Sequence, residues 1–152
     1  MVKPHSKDLR IGRVSLPGQV YLITTVASRR REVFRDLMAA RELVGALRYQ
    51  QEVGNARTLA FVVMPDHLHW LMELGERLPL SEVVGTVKAY SARRIRQLAD
   101  GEGRLWQAGF HDHAVRAEED LRALARYVIY NPVRSGLVES VRYYPHWDAI
   151  WV

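Results

Sequence analysis

Residues Phe61–Glu73 read FVVMPDHLHWLME, and the fold turns on how this stretch is taken. One apolar run ends at Pro65-Asp66, and a second follows that carries His67 and His69 two residues apart. The flanking β-branched and aromatic residues favour strand. Proline lacks an N–H and fits badly inside a ladder, so Pro65-Asp66 reads as a turn between two strands. Side chains at i and i+2 of a strand share a face, with Cα atoms roughly 6.5 Å apart. His67 and His69 therefore point the same way, and two imidazoles so placed converge on one divalent ion without distorting the backbone. A second pair, His111-Asp112-His113, stands downstream. Alone, such a pair is a weak pattern, as often a surface or hydrogen-bonded histidine as a ligand.

Outward from this hairpin, QVYLITTVA (Gln19–Ala27) predicts a first strand. Phe34, Leu37, Met38, Leu43, Val44 and Leu47 recur at helical spacing and predict a helix over Arg35–Gln51. Thr58–Met64 and His67–Leu74 form the hairpin. Pro79 and Ser81 open a second helix, with Ser81 a candidate N-cap and Leu80, Val84, Val87, Ser91, Ile95 and Leu98 as its inward stripe. Phe110–Arg116 reads as a fourth strand. Ala117–Tyr130 reads as a third helix, stopped by Asn131-Pro132. The order β-α-β-β-α-β plus a C-terminal helix is α+β: a ferredoxin-like antiparallel sheet with helices on one face. Residues 1–17, polar and basic, read as an N-terminal arm, and 18–152 as a single domain.

At 152 residues the chain is long enough to bury a core of its own. Its hydrophobic fraction of 48% and charged fraction of 26% are those of a globular protein. No apolar run reaches bilayer-spanning length and no secretory leader is recognisable, so the expected setting is cytoplasmic and nucleoid-associated, away from membranes. With no cysteine, disulfide frameworks and thiolate chemistry are excluded. Net charge is +5 and the basic residues are mostly arginine, whose planar fork suits phosphate; nucleic acid is the partner this favours.

Tyr90 lies on the second helix within KAYSARRIRQ, which holds Lys88, Arg93, Arg94 and Arg96. Tyrosine serves as a nucleophile on phosphorus in some enzymes, although a helix tyrosine is ordinarily a packing residue. The motifs VVMPDHLHWLM, KAY, LWQAGFHDHAVR and YVIYNPVRSGLV occur in that order. Together they resemble the single-tyrosine HUH transposases, in particular the bacterial REP-associated tyrosine transposases, over about residues 18–150. The resemblance implies the same ferredoxin-like fold. It implies Mg²⁺ or Mn²⁺ on His67 and His69, and Tyr90 as the nucleophile that forms a 5′-phosphotyrosine with single-stranded DNA near a hairpin. It also matches Asp112 and Arg116 to the segment after the Trp106-Gln107 turn, and Asn131-Pro132-Val133-Arg134, Gly136 and Leu137 to a shared box.

One departure stands out. Relatives often carry Gln or Asn one turn after the tyrosine as a further ligand, whereas this chain has Arg94, which cannot ligate a cation. Gln97, Asp112 and His113 are the remaining candidates. Arg29, Arg30, Arg31, Lys88, Arg93, Arg94, Arg116 and Arg134 are the expected DNA contacts. Trp106 is read as a core residue or as a stacking platform for bases. No small-molecule cofactor is expected, and monomer and homodimer are both open. Two other readings compete: a domesticated protein that binds hairpins without cutting, and a phosphoesterase using both histidine pairs and water. The nuclease reading requires the Tyr90 phenol and the two histidines to face one phosphate.

Overall fold

A computed structural model describes residues 15–98, 103–116 and 119–151; the side chains of Gln97 and Leu98, and most of the N-terminal arm, lie outside the described residues. The elements are β1 (Val20–Val26), α1 (Leu37–Glu52), β2 (Ala56–Met64), β3 (His67–Leu74), α2 (Leu80–Leu98), β4 (His111–Ala114), α3 (Leu121–Ile129), α4 (Asn131–Arg134) and β5 (Trp147–Ala149). The strands form one antiparallel sheet in the order β4-β1-β3-β2-β5. The predicted ferredoxin-like order is present, and β5 extends it at the β2 edge.

The hairpin turn is Pro65-Asp66, since Met64 pairs with His67. Its two carbonyls are held from outside: Ala27 N–H donates to Asp66 O and Phe34 N–H to Pro65 O, both near 2.9 Å. The first residue of β3 is thus fixed against the end of β1. From there the two-residue period sorts side chains to opposite faces. Leu68, Trp70, Met72 and Leu74 enter one core with Ala40, Leu43 and Leu47 of α1 and Val83, Val84 and Val87 of α2. Leu71 enters the other core with Ala60 and Val62 of β2 and Ala125, Val128 and Ile129 of α3. The sheet is covered on both faces, which is why β2 reads as a nearly unbroken apolar run from Leu59 to Met64 rather than an alternating one.

Helix ends follow local chemistry, with one exception. Asp36 caps α1 by accepting from Met38 and Ala39 N–H. Ser81 does not cap α2, because the helix already begins at Leu80. Pro79 has no side-chain acceptor to offer there, and the Leu80 N–H finds the hydroxyl of Ser15 instead. The end of the arm is docked further by Leu16 N–H, which donates to Tyr21 Oη. Asn131-Pro132 does not end the helical path but breaks it, and α4 starts directly after Tyr130 with Pro132 in its first turn. No helix among the described residues is long and apolar enough to cross a membrane.

Two positions make the packing testable. A Cβ on Gly75 would lie 2.3 Å from the Gly54 carbonyl oxygen, so Gly75→Ala should cost about 2–3 kcal/mol by forcing two backbones apart. Thermal unfolding should show a midpoint several degrees lower with the fold otherwise retained. Burial lifts the Tyr144 phenol to about 12, and its hydroxyl donates to Val63 O. A raised folded-state pKa means its contribution is complete below about pH 10 and lost as pH climbs towards 12. Spectrophotometric titration should show one late-ionising tyrosine that vanishes in Tyr144→Phe.

Candidate active site

His67 and His69 stand on the face of β3 that looks towards α3. Their rings meet edge to face with centroids 4.8 Å apart. In both, Nδ1 is already engaged: His67 Nδ1 donates to Asp66 Oδ1 at 2.6 Å, and His69 Nδ1 pairs with Thr24 Oγ1 at 2.9 Å. Nδ1 partners of this kind fix ring orientation and leave Nε2 to act as a ligand. Burial, then the charges of His67 and Arg134, push His69 down to about 4, so its ring is the neutral form that a metal requires.

Asp66 links this pair to the basic loop. Partial burial works against its charge, but His67 and Arg30 outweigh that and hold its carboxyl below the usual value. Arg30 Nη1 lies 3.3 Å from Asp66 Oδ2. Arg29 and Arg30 both adopt left-handed backbone, at φ 58° and 50°, in the short turn after β1. For non-glycine residues that conformation carries strain and is held by its surroundings. Arg31 spans to the Arg104 carbonyl. The loop predicted to contact phosphate therefore sits at the histidine end of the sheet.

The expected nucleophile does not. Tyr90 is on α2, half-buried against the core that contains Leu68 and Trp70, and so on the opposite side of the sheet from His67 and His69. It borders a groove between α1 and α2 with Tyr49, Gly85, Ala89 and Arg93. The rest of the KAY segment follows it. Arg94 pairs with Glu42 of α1 at 3.1 Å, and Lys88 donates to the carbonyls of Gln107 and Gly109. Arg94 thus has a structural partner on the layer opposite the histidine pair. The Gln97 side chain lies outside the described residues.

The helix on the histidine face is α3, and it carries Tyr127, 54% exposed. Arg134 of α4 stacks on that ring with its guanidinium carbon 3.9 Å from the centroid. The same arginine acts electrostatically on His69. Tyr127 and Arg134 therefore belong to the helical layer over the sheet face that His67 and His69 share. The spacing Tyr127–Arg134 inside YVIYNPVR was available in the sequence, but nothing there says which sheet face a helix covers.

The other candidates fall away from the pair. His111 and His113 are on β4, opposite Thr24 and Leu22 of β1, so that β1 separates them from β3. His113 Nε2 is paired with Glu119 at 3.0 Å, and Glu119 also approaches Arg116. Asp112 stands opposite Ile23 and shares the other face. Trp106 is 3% exposed, packs on Phe34 and donates from Nε1 to Ser91, which makes it a core residue. No group of three or more His, Cys, Asp or Glu that could hold a metal occurs among the described residues. The donor set fits a divalent ion held by two imidazoles, with further ligands left to substrate and water.

Comparison with known proteins identifies the family. The family model described as "Transposase IS200 like" matches residues 17–131. The chain belongs to that family. A Haemophilus influenzae protein assigned as a REP-associated tyrosine transposase is 32% identical over 99 residues, 59% of this chain and 56% of the relative. The REP-associated tyrosine transposase of Escherichia coli is 32% identical over 86 residues, 57% of this chain and 50% of the relative. The chain thus aligns with only about half the length of these curated relatives. A solved REP-associated tyrosine transposase bound to a REP hairpin shares the fold, with TM-score 0.74 and 24% identity over 97% of this chain and 82% of that one.

Proposed function

We propose that the protein is an endonuclease and strand transferase for single-stranded DNA at hairpins, with Tyr127 as nucleophile in place of Tyr90. The observation that carries this is the shared face: of the helices that flank the sheet, α3 lies over the His67/His69 side and presents Tyr127 beneath Arg134. Tyr130, three residues on, borders a groove with Trp151 and Ala149 at the β5 edge, whereas Tyr127 is the one tied through Arg134 to His69. The family membership and the names of the relatives support the reaction class.

In the proposed step the Tyr127 hydroxyl oxygen bonds to phosphorus and the bond from phosphorus to the 3′ oxygen breaks. The phenolic proton is released, and the departing oxygen takes up a proton to become a free 3′-OH. The DNA 5′ end remains on the enzyme as a phosphotyrosine. That ester preserves the energy of the phosphodiester, so another 3′-OH can reverse the step without ATP. Arg134 offers its N–H edges to the phosphate while its face stays on the ring. Arg30 and its neighbours hold the strand at the turn after β1. His67 and His69, through Nε2, would hold Mg²⁺ or Mn²⁺, which when bound supplies Lewis-acid polarisation of the phosphate.

A hairpin-binding protein without catalysis is the second reading, favoured by the two-histidine donor set, to which no His, Cys, Asp or Glu among the described residues adds a third ligand. Trapping the covalent adduct separates the two. Wild type and Tyr90→Phe should both form a protein–DNA adduct on a nicked or single-stranded hairpin substrate, and Tyr127→Phe should form none while binding DNA within a few-fold of wild type. An adduct that survives in Tyr127→Phe and disappears in Tyr90→Phe would reject the assignment.

The ion is tested separately by Thr24→Val, which keeps shape and removes the oxygen that orients His69. Calorimetric titration should show Mn²⁺ affinity weakened roughly ten-fold. Equal affinity would mean that Thr24 does not position a ligand, and no Mn²⁺ binding to the wild type would remove the ion from the proposal.

A further inference from the structure

The outer face of α3 carries a feature that the cleavage site does not use. Arg122, Arg126 and Tyr130 follow one another at i, i+4 and i+8, a single stripe on a helix surface. Across from them, after β5, stands Trp151. These side chains, with Ala125, Ile129 and Ala149 at the base, line an open groove of about 300 Å³. Both arginines are exposed, Tyr130 is 46% exposed and Trp151 37%. Large aromatic rings left in water beside paired cations need a physical reason, because each ring would contribute more to stability inside the core.

We infer that this groove is a second DNA-binding site, which takes the unpaired nucleotides that continue from the strand held at Tyr127. The inference rests on the proposed nuclease reading and adds the path of the strand to it. The arguments are charge, shape and continuity. Arg122 and Arg126 stand about 6 Å apart along the helix axis, and a guanidinium at each can take a backbone phosphate. Tyr130 and Trp151 offer ring faces on which any base stacks, which binds single strands with little regard to sequence. A double helix keeps its base faces stacked inside and could use only the arginines. The stripe passes beside Tyr127, because Tyr130 stands three residues on from it, the spacing of neighbours on a helix surface.

Two labelled probes test the site by fluorescence anisotropy across a salt series: a short oligodeoxythymidine, and a blunt DNA hairpin with no unpaired flank. For the full chain, Arg122→Ala combined with Arg126→Ala should reduce the salt slope for the oligodeoxythymidine by about 1.4, the value for two phosphate contacts on single-stranded DNA. Trp151→Ala should weaken that probe roughly ten-fold. Trp151→Phe, which keeps a ring face, should restore most of the loss. Binding of the blunt hairpin should be unchanged by either Trp151 substitution, and weakened less than that of the oligodeoxythymidine by loss of the two arginines. An unaltered slope and affinity for the oligodeoxythymidine, or an equal loss for both probes, would overturn the site. So would a dimer that dissociates in the variants while both DNA affinities stay at the wild-type value, since the groove would then hold a second copy of the chain. Failure of the nuclease reading looks different: wild type would form no tyrosyl adduct, yet the groove variants would still lose the oligodeoxythymidine selectively.

Discussion

The two-residue turn at Pro65-Asp66 sets the parity of β3, and parity decides which chemistry is possible. With Ala27 and Phe34 holding the turn's carbonyls, His67 has to begin the strand, and His69 and Leu71 fall on its face. A slip of one residue would put Leu68 and Trp70 towards α3 and drive both histidines into the packed core under α1 and α2. That slip would be opposed by the burial of Trp70, whose Nε1 donates to Thr58. The apolar residues between the histidines are therefore what keeps the histidines on the working face. Stability and function are here two consequences of one register.

The same parity explains which parts of the protein could be read from the chain. Strand and helix identities, the hairpin, its turn and the convergence of His67 and His69 all follow from local periodicity. Tyr90 is singled out in the sequence only by the motif resemblance. Periodicity correctly puts Tyr90 beside the inward stripe of α2, but a stripe shows only that a helix is buried on that side. Which face of the sheet it covers depends on the handedness and length of connections, a tertiary fact with no signature in the helix itself. α1 and α2 share one face, and α3 reaches the other only after β4 has taken the edge of the sheet. Strand β5 has no signature in the sequence for a different reason: three residues are too few to display an alternation.

Charge was legible in sum but not in allocation. The excess of arginine pointed towards phosphate, yet the segment densest in cations is largely committed within the protein. Arg94 is on Glu42, and Lys88 braces α2 to the turn at Gln107 and Gly109. Exposed ion pairs such as Arg94–Glu42 contribute little to stability, and α1 and α2 are held together by their shared apolar core instead. The cations at the histidine end are fewer and differently placed. Arg30 leans on Asp66 from a left-handed turn, and Arg134 lies flat on a tyrosine. A count of basic residues in a window favours the first group, whereas geometry favours the second.

Arg134 owes its position to a proline. In an unbroken helix, residues 127 and 134 would lie two turns apart, about 10.5 Å along the axis. Pro132 has no N–H to give to the carbonyl four residues back, and its ring crowds that carbonyl, so α3 cannot simply continue through it. The chain restarts at Tyr130 as the four residues of α4, whose own bonds run from Val133 and Arg134 back to the Tyr130 carbonyl. The break brings the guanidinium within stacking distance of the Tyr127 ring. The Asn131-Pro132 pair, which reads in the sequence as a stop signal, is in the fold a hinge between the side chain proposed to attack and the cation that accompanies it. A continuous helix would set the two residues two turns apart on one surface. The missing backbone donor at Pro132 thus sets the cation on the ring, as the Pro65-Asp66 turn sets the histidines on their face.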